Sequence, residues 1–370
     1  MERYLEPQVQ RDLQKKMVWV AGPRQVGKTT LAKRILGKES RGYLNWDITR
    51  HRDAILRGLL PATDMWVFDE LHKYRRWRNY LKGVYDEYGK QKRILVTGSA
   101  RLEHFRRGGD SLQGRYFYLR LHPLSLAELK VDDADTLQAL LQLGGFPEPF
   151  FGGSQSEARR WSLEYRERLI RDEIASLERI SDLGQLELLM QRLPALVGSP
   201  LSINALREDL QVSHKTMSRW LNILENTYAI FRLPPFGAPR IRAVKKEQKH
   251  YQVDWSLVEE SGPRFENLVA SHLLKWVHFQ HDAYGRNLDL KYFRDVDRRE
   301  VDFVVTETQQ PVAFIEAKVG ANTPSQTLLY LKKRFPAAKA FQISLTDDRE
   351  QQARGGIHLM PARKFLSLLV

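Results

Sequence analysis

The sequence predicts an α/β fold built on a parallel sheet, with two further regions behind it. Three observations carry that reading. Apolar runs at Met17-Val18-Trp19-Val20-Ala21, Met65-Trp66-Val67-Phe68 and Ile94-Leu95-Val96 have the length and continuity of strands buried on both faces. Stretches of helical periodicity separate them. A glycine-containing loop, Gly22-Pro23-Arg24-Gln25-Val26-Gly27-Lys28-Thr29, joins the first strand to the first of these helices. The β-α-β-α-β-α-β alternation with short links implies a doubly wound sheet.

Taken in order, residues 4–16 read as a charged amphipathic helix leading into the first strand. The loop then fits G-x-x-x-x-G-K-[ST] at every position and has a strand before it and a helix after it, the context that motif requires. Its glycines let the backbone wrap a phosphate chain, and the helix opening at Lys28 adds its positive dipole end. Lys28 is expected to reach the β- and γ-phosphates and the Thr29 hydroxyl to hold Mg²⁺. Gly22, Pro23, Arg24, Gln25, Val26, Gly27, Lys28, Thr29 and Thr30 are therefore the candidate nucleotide-binding residues, with ATP and Mg²⁺ as cofactors.

A short strand at Tyr43-Leu44-Asn45-Trp46-Asp47 and a helix over 49–60 follow. The next strand ends in Asp69-Glu70, two carboxylates at the C-terminal edge of a parallel sheet. Asp69 is the candidate Mg²⁺ partner and Glu70 the group that orients and deprotonates a water; the plainer alternative is a capping pair at a helix start. After a helix over 75–89, the strand over 93–99 ends in Thr97-Gly98-Ser99, whose hydroxyls either sense a γ-phosphate or cap the next turn. Residues 115–121 read as the fifth strand.

The chain has 370 residues and a formal net charge of +14, which favours a polyanionic partner such as DNA. Without cysteine, disulfides, thiolate zinc sites and cysteine nucleophiles are excluded. No apolar run reaches membrane-span length and no signal-like start is seen, so no membrane association and a cytoplasmic location are expected.

The loop, together with Phe68-Asp69-Glu70, Thr97-Gly98-Ser99 and the stretch from Leu112-Gln113-Gly114-Arg115 to His122-Pro123-Leu124-Ser125, resembles the AAA+-type ATPase domain of a large prokaryotic family. In that family the ATPase is fused to a C-terminal domain of unknown function, the DUF4143 type. The resemblance implies ATP hydrolysis at interfaces of a homo-oligomer, a hexameric ring being the form it suggests, with an arginine supplied by the neighbour. Arg115 and then Arg101 are the candidates, each equally readable as a surface arginine.

Gly144-Gly145-Phe146-Pro147 breaks the pattern and marks a boundary, giving domains over 1–150, 151–262 and 263–370. A charged helix is expected from Ser156 to Ile180. Within 201–250, a short helix with Ser202 as N-cap, a turn at Gln211-Val212-Ser213 and a second helix from His214 form a helix-turn-helix pattern. Met217, Trp220, Leu221 and Leu224 share one face of the second helix; His214, Lys215, Ser218, Arg219 and Asn222 share the other. The following segment suits the β-hairpin of a winged helix. Lys215, Arg219, Arg240, Arg242, Lys245 and Lys246 are the candidate DNA contacts. A winged helix used only for packing between subunits is the competing reading.

Beyond residue 263 the pattern returns to α/β. Asp302, Glu316 and Lys318 lie on successive strands, with Glu316 and Lys318 on one face and Glu266 at the start of a helix. This arrangement resembles the PD-(D/E)xK restriction-endonuclease-like fold, without the proline that precedes the aspartate in the usual pattern. The resemblance implies a metal held by Asp302, Glu316 and Glu266, with Lys318 polarising the hydrolytic water; an internal ion pair in a non-cutting domain is the alternative. The whole is read as an ATP-hydrolysing motor or remodeller of duplex or branched DNA, of helicase or branch-migration type. Its rival is an ATP-dependent switch that binds a protein partner.

Overall fold

A computed structural model describes residues 1–99, 112–174, 182–237, 247–320 and 323–370. The chain divides into two compact units, Met1–Pro123 with Asp282–Tyr284, and Leu124–His281 with Gly285–Val370.

The first unit holds α1 (Glu6–Asp12), β1 (Met17–Ala21), α2 (Lys28–Leu36), β2 (Tyr43–Asn45), α3 (Thr49–Arg57), β3 (Met65–Asp69), α4 (Trp77–Tyr88), β4 (Arg93–Gly98) and β5 (Tyr116–Arg120). The strands form one five-stranded sheet in the order β2-β3-β4-β1-β5, every pairing parallel, as the alternation implies. β1 and β3 are buried along their whole length, which is why their sequences lack polar alternation. Trp19, Phe68 and Val96 pack with Trp77, Leu81 and Val84 of α4, and the Trp19 and Trp77 rings lie 4.9 Å apart. Each such side chain contributes about 1.5–3 kcal/mol by leaving water, so this face alone fixes the sheet under α4.

Strand order matters more than strand content. β4 lies between β1 and β3, so the phosphate-type loop after β1 and the carboxylates after β3 flank Thr97-Gly98-Ser99. The register Ala21↔Gly98 and Asp69↔Thr97 brings all three strand ends to one edge.

The second unit begins with α5 (Leu126–Leu129), α6 (Ala134–Leu143), α7 (Pro147–Gly152), α8 (Gln155–Arg168) and α9 (Leu183–Arg192). Gly144 to Pro147 is a corner between α6 and α7, with Phe146 fully buried. The long helix expected from Ser156 to Ile180 is instead α8, capped by Ser154, followed by a π-helical turn over Leu169–Ile174. Leu169, Ile170 and Ile174 of this turn are all buried. Residues 175–180 lie outside the described residues.

Next come β6 (Pro200–Leu201), α10 (Ile203–Asp209), α11 (His214–Asn226), β7 (Ile230–Leu233) and β8 (Gln248–Gln252). Ser202 and Ser213 cap α10 and α11 through their hydroxyls, as the helix-turn-helix pattern requires. β6, β8 and β7 form a three-stranded antiparallel sheet behind the helices. The unit closes with α12 (Ser261–Tyr284), β9 (Leu288–Arg294), β10 (Glu300–Glu307), β11 (Gln310–Lys318), α13 (Gln326–Arg334), β12 (Lys339–Ser344), β13 (Gln351–Ala353), β14 (Ile357–Pro361) and α14 (Ala362–Ser367). Its six-stranded sheet is mixed, in the order β13-β14-β12-β11-β10-β9. Among the described residues no helix is long and apolar enough to cross a membrane.

Candidate functional site

The loop between β1 and α2 is shaped by two glycines. Gly22 has φ +154°, and a Cβ there would lie 2.2 Å from the Leu121 carbonyl oxygen, so no other residue fits. Gly27 has φ +101° and turns the chain into α2. From beneath, the buried Arg3 guanidinium donates to the carbonyls of Val26 at 2.6 Å and His122 at 2.6 Å, tying the loop to the end of β5. The Lys28 ammonium donates to the Gly22 carbonyl at 2.9 Å and the Pro23 carbonyl at 2.6 Å, which keeps it folded into the loop's concavity. Arg24, Gln25 and Thr30 are at least partly exposed along the rim, while Pro23 and Val26 are buried.

Asp69 is buried at the end of β3, and its carboxylate collects donors from three elements. Oδ2 accepts from the Thr29 hydroxyl at 2.8 Å, the Tyr43 phenol at 2.5 Å and the Asn45 amide at 3.4 Å. Oδ1 accepts from the Thr97 hydroxyl. The Asn45↔Asp69↔Thr97 register across β2, β3 and β4 makes this convergence a consequence of strand order. Burial, and then the neighbouring carboxylate, push the Tyr43 phenol above its ordinary pKa, so it stays a donor. Every one of these donors is neutral, and among the described residues Asp69 makes no ion pair. A buried carboxylate held only by neutral donors is suited to an added cation, and a threonine hydroxyl beside it is a hard oxygen ligand of the type Mg²⁺ takes. Thr29 and Asp69 therefore fit a Mg²⁺ ion.

Glu70 follows with φ 58°, a left-handed conformation that costs a non-glycine residue about 1–3 kcal/mol. Its N–H is held by the Thr97 carbonyl at 3.2 Å, which offsets part of that cost. The carboxylate lies 3.4 Å from the Lys73 ammonium and 3.8 Å from His72 Nε2. Burial lowers the His72 pKa, favouring the neutral imidazole. Ser99 is buried at the end of β4. Thr97, read from the sequence as a possible phosphate sensor, instead spends its hydroxyl on Asp69.

Arg115 is not brought to this cluster. Its guanidinium makes a two-point contact with Asp86 on α4, at 2.7 Å and 3.2 Å, on the exposed side of the unit. Arg101 lies outside the described residues. So do Arg240, Arg242, Lys245 and Lys246. On α11, Met217, Trp220, Leu221 and Leu224 are buried, and His214, Lys215, Arg219 and Asn222 are exposed together, as the periodicity predicts.

The second cluster differs from its sequence reading. Lys318 Nζ contacts Glu316 Oε1 at 2.7 Å, the shared strand face expected. Asp302 Oδ2 accepts the Ala317 N–H at 2.9 Å. Glu266, however, is met by two residues of β8: Lys249 Nζ at 3.1 Å and the Tyr251 phenol at 2.7 Å. The same ammonium lies 2.5 Å from Glu300 and 4.0 Å from Asp302. Burial, and then the Asp302 charge, raise Glu266 and Glu316 to about 7 each. Burial alone would lower the Lys249 pKa, but the carboxylates of Glu266, Asp302 and Glu300 hold it above its ordinary value. Among the described residues no three histidine, aspartate or glutamate side chains form a group that could hold a metal ion. The metal shell of Glu266, Asp302 and Glu316 expected from the sequence is thus corrected: an ammonium stands among these acids, and the residues do not fit a divalent ion.

Arg3, Tyr43, Asn45, Lys249, Tyr251 and Glu300 were not singled out by the sequence. Tyr43 and Asn45 carried a signal, two polar side chains at strand spacing on a short strand; Arg3 and Glu300 carried none.

Residues 14–130 match the model of an AAA domain, AAA_14, residues 134–261 a domain of unknown function, DUF8612, and residues 261–365 a second domain of unknown function, DUF4143. An uncharacterised protein of Mycobacterium tuberculosis (strain H37Rv) is 26% identical over 310 residues, covering 80% of this chain and 69% of that protein. An uncharacterised protein of Haemophilus influenzae is 21% identical over 378 residues, covering 90% and 91%. Among solved structures, Drosophila ORC bound to DNA matches at 12% identity over 65% of this chain and 87% of that chain, with a TM-score of 0.25. A signal transduction ATPase with a tetratricopeptide repeat sensor from Pyrococcus horikoshii matches at 17% identity over 77% and 48%, with a TM-score of 0.21. These TM-scores are too low to bear on the fold. The chain carries an AAA domain at its N-terminus and a DUF4143 domain at its C-terminus.

Proposed function

We propose that this chain, an AAA domain joined to DUF8612 and DUF4143 domains, hydrolyses ATP at the loop before α2 and couples the hydrolysis to work on DNA. The observation that carries the ATPase half is the convergence of Thr29 and Asp69 beside that loop, at 2.8 Å. Backbone N–H groups of the loop bind the phosphate chain, and Lys28 exchanges the carbonyls of Gly22 and Pro23 for the β- and γ-phosphates. Thr29 and Asp69 hold Mg²⁺, which when bound neutralises developing phosphate charge. Thr97, Tyr43 and Asn45 fix the Asp69 carboxylate so that it does not reorient during the reaction. Glu70 orients the attacking water and takes its proton, and Ser99 lines the γ-phosphate end. Arg115, released from Asp86, reaches the site of a neighbouring copy in a homo-oligomer, a ring of six being the form proposed.

The DNA half is supported by the formal charge of +14 and by the exposed polar face of α11 with Lys215 and Arg219. Arg240, Arg242, Lys245 and Lys246 supply further phosphate contacts in this reading. No cleavage is assigned to the DUF4143 domain, because its acids do not fit a metal.

The test is ATP hydrolysis in Mg²⁺ with and without forked, four-way and plain duplex DNA, with Lys28→Ala as control. Stimulation by DNA that vanishes in Lys28→Ala is the expected result. Hydrolysis that ignores every DNA would instead favour a nucleotide-dependent switch acting on a protein partner, a reading that the closed acid cluster of the second unit also suits.

A further inference from the structure

We propose that Lys249 is the resident cation of the DUF4143 acid cluster: its ammonium stands in place of a divalent metal, and the cluster is a metal-independent lock that joins β8 to α12 and β10. This goes beyond the ATPase reading and does not rest on it.

The geometry is that of a cation site. Lys249 Nζ is surrounded by Glu266 at 3.1 Å, Glu300 at 2.5 Å and Asp302 at 4.0 Å, with its side chain 1% exposed. The Tyr292 ring adds its face at 5.7 Å. An ammonium removed this far from water is stable only with several opposite charges around it. Conversely, these acids need a cation. Among the described residues the other lysine of the cluster, Lys318, contacts Glu316 at 2.7 Å.

Two of the oxygens a metal would use are already committed, while Glu316 Oε2 is buried without a hydrogen-bond partner. Glu266 Oε1 takes both the Tyr251 phenol and the Lys249 ammonium, and Asp302 Oδ2 takes the Ala317 N–H. Mg²⁺ demands near-octahedral oxygen ligands and usually keeps several waters, and a ring of acids filled by an ammonium leaves room for neither. Counting the Arg294 guanidinium, 3.8 Å from Glu300, three cations face the four acids of the cluster.

The three partners come from distinct elements. Lys249 belongs to the three-stranded sheet, Glu300 and Asp302 to the six-stranded sheet, and Glu266 to α12. A second tie runs alongside, because the Asn267 amide on α12 both accepts from the Gln252 N–H and donates to the Gln252 carbonyl, each at 2.8 Å. A lysine on a neighbouring strand thereby converts a nuclease-like acid constellation into a fixed joint.

The test is calorimetric titration of Mn²⁺ into the full chain without nucleotide, with thermal melting in parallel. The wild type is expected to show no Mn²⁺ binding that depends on Glu316. Lys249→Ala is expected to gain one Mn²⁺ site, at least about tenfold tighter than any wild-type binding, with a melting temperature that Mn²⁺ raises. Lys249→Gln serves as the second variant should Lys249→Ala not fold. Wild-type binding of one Mn²⁺ that persists in Asp69→Asn and disappears in Glu316→Gln would overturn the proposal. So would a folded Lys249 variant that gains no response to Mn²⁺.

Discussion

The two units each bury a carboxylate at a strand of a sheet, and they neutralise it in opposite ways. Asp69 is surrounded by Thr29, Tyr43, Asn45 and Thr97, all neutral donors. Asp302 and Glu266 are surrounded by a lysine that the chain itself provides. Hydrogen bonds from hydroxyls fix the direction of a carboxylate but leave its charge to be met from outside. An internal ammonium meets the charge and leaves nothing to recruit. In the proposed reading the first arrangement makes a site whose cation comes and goes with nucleotide, and the second makes a joint.

The largest effects test the first half of that contrast. Lys28→Ala and Glu70→Gln are each expected to lower ATP turnover by about 10²–10⁴-fold while leaving the melting temperature close to wild type. A Glu70→Gln chain that hydrolyses ATP normally would remove Glu70 from the chemistry and return it to the role of a strained capping residue.

The second half is tested by stability. Removing one partner of a buried ion cluster leaves the others uncompensated, at about 3–5 kcal/mol, so Lys249→Gln is expected to lower the melting temperature of the second unit by about 10 °C. Asp69→Asn keeps one acceptor oxygen and turns the other into an amide NH2 that faces a donor hydroxyl able to rotate, so it is expected to destabilise less than Lys249→Gln and to abolish Mg²⁺-dependent nucleotide binding. Equal losses of stability in both variants would erase the distinction between site and joint.

What the sequence made legible follows the same line. The placement of the loop, Asp69 and Glu70 at one edge of the sheet was readable because each sits in a local pattern at the end of a buried strand. The parallel sheet was readable from its buried strands, though not the order that inserts β4 between β1 and β3. The second cluster was not readable in its function. Asp302, Glu316 and Lys318 look the same to a sequence whether a metal or a lysine completes them, and Lys249 lies on a strand of another sheet. A cation 53 residues from its acid partner leaves no mark in local periodicity. The π-helical turn after α8 was missed because the apolar positions Leu169, Ile170 and Ile174 fit one face of an ordinary α-helix equally well.

Acid sensitivity sharpens the contrast further, because the second unit buries two neutral histidines. Burial holds His250 and His272 at about 4, against an ordinary value near 6.5. These are depressed values, so their stabilising contribution is present above pH 6.5 and is lost as the pH falls from there through 4. Each is worth on the order of 3 kcal/mol over that window. Glu266 and Glu316, raised to about 7, act with the opposite sign, losing stability as pH rises through 7. The comparison is therefore between wild type and His272→Gln by denaturant melts at pH 7 and pH 5. The variant is expected to lose less stability than wild type on acidification, and parallel losses would show that burial does not lower the His272 pKa in the folded chain.

The smallest effect concerns the side chains that hold Asp69 rather than its charge. Tyr43 donates to Asp69 Oδ2 at 2.5 Å, and Asn45 donates both to that oxygen and to the Tyr43 phenol. A hydrogen bond to a charged group is worth about 1.5–3 kcal/mol, and three other donors remain on the carboxylate. Tyr43→Phe is therefore expected to raise the Mg²⁺ concentration for half-maximal ATP turnover by about tenfold, at the low end of that range, with maximal turnover little changed. Because Tyr43 touches neither phosphate nor water in this reading, a loss of turnover at saturating Mg²⁺ would place it in the chemistry itself. An unchanged Mg²⁺ requirement would mean that Thr29, Asn45 and Thr97 fix the carboxylate without it, and that Tyr43 only joins β2 to the sheet.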